Sequence, residues 1–121
     1  MVAYKELSDT EVDRIFRALA DSTRRDIVRR TLVEGTSVSS LAASYEMSFA
    51  AVQKHVAALE EAGLVTKHPH GRERIVRGNP ETIMRAQALL VRYEEIWRGR
   101  IERLDALLLD DNTDTPPSTN A

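Results

Sequence analysis

Apolar residues in the first half of the chain recur at helical spacing rather than in alternation. Leu7, Val12, Ile15, Phe16 and Leu19 share one face, Ser8 can cap, and Glu11 stands at the reciprocal capping-box position, which predicts a helix over about 9–19. Asp21 or Ser22 can cap the next run, where Ile27, Val28 and Leu32 form the stripe and Gly35 the stop, so a second helix is expected over about 22–33. TSVSSLAASYEM supplies Val38 and Leu41 to a core and fits a two-turn helix over about 38–45, followed by a turn with Glu46 and Met47. From Ser48 as cap, Phe49, Val52, Val56 and Leu59 share a core-facing stripe and Gly63 closes the end, predicting a helix over about 49–62.

The period then changes. LVTKH and RIVRG are short and contain β-branched residues, and PHGRE between them suits a turn, so residues 64–78 read as a β-hairpin. After Asn79 as cap and Pro80 as first helical residue, an amphipathic run containing Ile83, Leu90, Tyr93, Ile96, Trp97, Ile101, Leu104 and Leu108 continues to about Leu109. A helix of about 45 Å outruns a small core, and its apolar stripe needs a partner. A two-fold-related copy of the chain is the simplest one, although Tyr93, Ile96, Trp97 and Ile101 would also suit a hydrophobic ligand pocket between protomers.

With 121 residues, 42% apolar and 30% charged, the chain suits one domain, placed at residues 1–109, with an acidic, Pro-containing tail over 110–121 expected to be disordered. Five Gly and four Pro in a body rich in Ala, Leu, Glu and Arg disfavour an all-β fold. No stretch approaches the roughly 20 apolar residues of a membrane span, and the start lacks the apolar segment of a secretory signal, so a cytoplasmic location is expected. The absence of Cys excludes disulfides, thiolate metal sites and cysteine redox switches.

A net charge of −2 runs against nucleic-acid binding, whose affinity comes largely from Lys and Arg. The distribution corrects the total. The last twelve residues hold three Asp and no basic residue, and without them the remainder stands at about +1. Residues 48–78 carry Lys54, Lys67, Arg72, Arg74 and Arg77 against Glu60, Glu61 and Glu73, together with all three His.

A short helix, a tight turn and a longer helix make a helix-turn-helix, whose second helix enters the DNA major groove. With Val52, Val56 and Leu59 inward, Ala50, Gln53, Lys54 and Ala57 face out, small or polar as groove entry requires. Gln53 can bond bidentately to adenine, Lys54 can reach a guanine edge or a phosphate, and Ser48 with the helix start can hold a phosphate. His55, on the flank of this helix, suits either a phosphate contact or a packing edge. His68, His70, Arg72 and Arg74 surround the hairpin turn, as in a wing along the backbone or in the minor groove. Singly, such residues are usually just solvated; the order of the elements is what gives them a role.

The stretches IFRALADSTRRDIV, SFAAVQKHVAALEEAGLV and HPHGRERIV, in this order and spacing, resemble the ArsR family of bacterial regulators over about residues 10–109. The resemblance implies a mainly α winged helix-turn-helix, with four helices, two strands and a last helix, binding double-stranded operator DNA. It also implies a homodimer through the first and last helices, which here assigns Val12, Ile15, Phe16, Leu90, Tyr93, Trp97, Ile101 and Leu104 to the interface. Family metal sites use Cys in the helix before the reading helix, or Asp and His on the last helix. SVSSLAAS has no Cys and residues 80–109 have no His, so neither set can be assembled, and no cofactor or metal is expected. The run YEEIWRGRIERLDALL is similar to a metal-independent branch, for which the resemblance leaves any small-molecule effector open.

Three other readings are weaker. His68 and His70 with Glu73 lack evident further ligands for a metal. Catalysis lacks a nucleophile motif, a Gly-rich phosphate loop or a carboxylate pair. A winged-helix adaptor that binds protein instead of DNA fits the acidic total, but Gln53, Lys54 and the basic wing argue against it.

Overall fold

The computed structural model describes residues 5–114, with side chains through residue 110. Its elements are α1 (Asp9–Leu19), α2 (Ser22–Val33), β1 (Thr36–Ser37), α3 (Val38–Ala43), α4 (Phe49–Glu61), β2 (Val65–His70), β3 (Glu73–Gly78) and α5 (Pro80–Asp114). This is a winged helix-turn-helix, mainly helical, with one small antiparallel sheet in the order β1-β3-β2. The chain divides after Gln87 into two compact units.

In the first unit the capping chemistry sets the helix starts. Ser8 and Glu11 form the reciprocal box on α1, Asp21 accepts from the Arg24 amide on α2, and Ser37 and Ser48 cap α3 and α4 through the Ser40 and Ala51 amides. Gly63 ends the α4 segment at φ 77°, a left-handed conformation that suits glycine. Asn79 opens α5 by accepting from the Glu81 amide, while its Nδ2 and the Thr82 hydroxyl both donate to the Gly63 carbonyl, so one cluster fixes the end of α4 to the start of α5.

The core gathers Ile15 of α1, Ile27 and Val28 of α2, Leu41 of α3, Val52, Val56 and Leu59 of α4, and Leu64, Val65 and Val76 of the hairpin, each at most 5% exposed. Each such side chain contributes about 1.5–3 kcal/mol by leaving water. Ile15 was expected at a dimer interface and belongs instead to this core at 1% exposure; the helical period that turns Ile15 and Ala18 inward leaves Val12 half-buried and Phe16 outward. Phe49 was expected in the core stripe of α4 and is 47% exposed, because at the first turn it lies beyond the reach of the packed layer formed by Val52 and Val56. Arg85, on the first turns of α5, pairs with Glu11 at 3.2 Å and donates to the Lys5 carbonyl, joining the segment before α1 to α5.

Two features exceed the pattern read from the sequence. Thr36 and Ser37 add a third strand, paired with Val76 and Ile75, too short to show any alternation. The hairpin strands also run further than expected, to His70 and from Glu73, leaving a two-residue turn in which Gly71 takes φ 64° and Arg72 does not, as a type II′ turn requires. Pro69 is tolerated because β2 is an edge strand.

In the second unit α5 continues past the expected end at Leu109 to Asp114; the rest of the tail expected to be disordered lies outside the described residues. Leu90, Trp97 and Leu104 follow one another at seven-residue spacing, with Tyr93, Ile101 and Leu108 alongside, and all six are 40% exposed or more. Glu94 and Arg98 pair at 2.6 Å one turn apart, and the Arg100 guanidinium lies 5.9 Å from the Trp97 ring centroid. Among the described residues no helix is long and apolar enough to cross a membrane.

Candidate nucleic-acid interface

The turn from α3 to α4 is held from behind by α2. The Tyr45 hydroxyl donates to Asp26 Oδ2 at 2.5 Å, Arg29 pairs with the other carboxylate oxygen at 2.6 Å, and Arg30 donates to Ser44 Oγ at 3.1 Å with its guanidinium 5.6 Å from the Tyr45 ring centroid. The Tyr45 hydrogen bond, then that of Arg29, holds the Asp26 carboxyl below its usual range, and burial with the same bond raises the Tyr45 phenol. No sequence signal marks this joint, since its partners are 19 residues apart and neither belongs to a local motif.

On that support α4 presents its two sides differently. Ala50, Gln53, Lys54 and Ala57 are exposed on the face away from Val52, Val56 and Leu59. Ser48 lies at the helix start, its Oγ already accepting from the Ala51 amide at 3.1 Å. On one flank Gln53 faces the hairpin. On the other, His55 is turned to α2: its Nδ1 accepts from Arg24 Nε at 3.1 Å and lies 3.8 Å from Asp21 Oδ2, with the side chain 20% exposed. This geometry engages the Nδ1 edge of His55 with α2. Asp21 is itself held below its usual carboxyl range, chiefly by the Arg24 amide.

The wing is tied to α4 by Lys67, whose Nζ lies 3.5 Å from Glu60 Oε1. Arg74 stands opposite Pro69, His70 opposite Glu73, and Arg72 in the turn; all three cationic or imidazole groups are exposed. His68 shares a 2.9 Å hydrogen bond with Thr66 Oγ1 and stands opposite Ile75. Among the described residues no group of three or more His, Asp or Glu side chains is placed to hold a metal. Between α3, α4 and the wing lies a groove of about 360 Å³, onto which Gln53, Arg72 and Arg74 open together with Phe49. The geometry thus brings Gln53 to the two wing arginines, leaves Lys54 and Ala50 on the adjoining outer face, and turns the Nδ1 edge of His55 to α2.

Comparison with known proteins points the same way. A helix-turn-helix domain family matches residues 19–68, which take in α2, the helix-turn-helix and most of β2. The HTH-type transcriptional regulator Rv2034 of Mycobacterium tuberculosis is 32% identical over 103 residues, covering 85% of this chain and 94% of that protein. The structure of an ArsR-like transcriptional regulator from Rhodococcus sp. RHA1 superposes with a TM-score of 0.73 at 31% identity, covering 81% of this chain and 92% of that one. In fold alone, the chain also matches the solution structure of a homodimeric winged helix-turn-helix DNA-binding domain from Mycobacterium bovis, with a TM-score of 0.59 at 22% identity over 78% of this chain and 92% of that one.

Proposed function

The chain belongs to the ArsR family of winged helix-turn-helix transcriptional regulators that bind DNA, and from that premise we propose that it is a cytoplasmic homodimeric repressor that reads a pseudo-palindromic operator with α4. The observation that carries this reading is the exposed face of Ala50, Gln53, Lys54 and Ala57 beside a wing whose Arg72 and Arg74 have no hydrogen-bond or ion-pair partner among the described residues. Gln53 supplies a bidentate edge for adenine and Lys54 a cation for guanine or phosphate. Arg72, Arg74 and His70 follow the backbone. Ser48 serves mainly by capping, so a phosphate at the start of α4 would be met by the free amides of its first turn.

Dimerisation fits the open apolar stripe of α5 and, taken by itself, the exposed Phe16 of α1, and the Mycobacterium bovis domain of the same fold is described as homodimeric. Two α4 helices would then enter successive major grooves about 34–36 Å apart and block polymerase. Regulation does not run through the family's metal sites, since α3 has no Cys and residues 80–109 no His. Binding of fluorescent DNA from upstream of its own coding region, followed by anisotropy, tests the reading. Tight binding that weakens steeply with salt and exceeds that of a scrambled duplex by about a thousandfold is expected. Equal affinity for both duplexes would leave the adaptor reading in its place.

A further inference from the structure

The groove between α3, α4 and the wing has the volume of a small-molecule site, about 360 Å³ against roughly 300–1,000 Å³ for such pockets. Its floor is apolar: Val56 is fully buried, Val38 half-buried, and the Phe49 ring stands 47% exposed at the first turn of α4. Its rim is cationic. Lys67 is engaged by Glu60, but Arg72 and Arg74 have no hydrogen-bond or ion-pair partner among the described residues. Glu73 on the same rim limits the positive charge and disfavours a dianion.

We propose that this groove binds a small aromatic monocarboxylate, with its ring on Phe49 and its carboxylate on Arg74, and that this ligand releases DNA by occupying the space between the reading helix and the wing. The inference rests on the DNA reading of α4 for its regulatory half only. An aromatic ring gains most by stacking against Phe49, and a planar carboxylate fits a guanidinium bidentately. Gln53 lines the same groove, so a bound acid competes for the side chain expected to read adenine. The site differs from a dimer-interface pocket in lying wholly within one chain.

The test uses 1-naphthoate with the full chain, read first by amide chemical shifts without DNA. Saturable shifts at Val38, Phe49, Gln53, Ala57 and Arg74 are expected, with binding weakened about tenfold in Phe49→Ala and in Arg74→Gln, the size of one charge-assisted contact. Naphthalene-1-carboxamide, which lacks the charge, should bind more weakly by a similar factor. Unchanged amide dispersion in both variants establishes that they are folded, and the Arg74 variant carries the test if the Phe49 variant is not. Naphthoate should also displace operator DNA where acetate at the same ionic strength does not. Absent or non-saturable shifts, shifts centred on residues 90–108, or equal binding of the carboxamide would overturn the inference. Binding in the groove with operator affinity unchanged would overturn its regulatory half. Because the shifts are measured without DNA, a failure of DNA binding is told apart from a failure of ligand binding.

Discussion

Up to Gln87, the helices bury a shared set of apolar side chains within their own unit: Ile15, Leu41 and Leu59 are at most 1% exposed, while Phe16, Leu32, Val33, Phe49 and Met84 stay outside that core. Beyond it, Leu90, Trp97 and Leu104 expose 51%, 57% and 56%, on a helix that carries just as regular an apolar stripe. The first unit closes its stripe because α1 to α4 and the hairpin approach from several directions. The second is one helix, and a lone helix has no inside. The same helical pattern thus encodes a core in one unit and an exposed apolar stripe in the other.

The sharpest way to break that contrast is to charge the stripe. Trp97→Asp is expected to raise the dimer dissociation constant by about a thousandfold, near 4 kcal/mol, measured by sedimentation equilibrium, while the fold up to Gln87 persists. An unchanged constant would show that the stripe is not the interface. Leu41→Ala attacks the other side of the comparison: loss of this fully buried side chain should cost about 3 kcal/mol in chemical denaturation. Gly78→Ala should cost about 2 kcal/mol by the same measurement, since an added Cβ would sit 2.6 Å from Leu32 Cγ and 2.9 Å from the Leu32 backbone nitrogen, which cannot rotate away.

The smallest effect concerns acid. The Asp26 carboxyl is held low in the folded state, so its contribution is present above the ordinary carboxylate range and is lost as pH falls through the depressed value. Tyr45→Phe removes the leading cause of that depression. Its melting temperature should therefore decline less between neutral and acid pH than that of the parent chain, and an identical decline would show that Tyr45 does not hold the Asp26 carboxyl low.

Much of this architecture was legible because it is local. The caps Ser8, Asp21, Ser48 and Asn79, the glycine after α4, and the change of period at Leu64 are decided within a few residues. What escaped was settled by packing from afar. A helical wheel cannot say where the packed layer ends, so the stripe that includes Phe49 runs past the body, while Ile15, which the family resemblance assigns to an interface, is needed by the core. The two-residue β1 exists only because β3 is there to pair with it. His55 illustrates the same limit at the site. Its Nδ1 is engaged by Arg24 and lies near Asp21, both brought in by α2, which no local pattern around His55 shows. The nearness of Gln53 to Arg72 and Arg74 likewise depends on the hairpin folding back toward α4.

Whether α4 reads DNA through its outer face is decided by comparing the parent chain with the Gln53→Ala, Lys54→Ala double variant in operator anisotropy at fixed salt. Both side chains are exposed, so the fold and the dimer should be unaffected. Affinity for the operator should fall by about a hundredfold or more, toward that for scrambled DNA, while the scrambled duplex is bound nearly as before. A double variant that still prefers its operator by the parent's margin would show that α4 does not read DNA through that face.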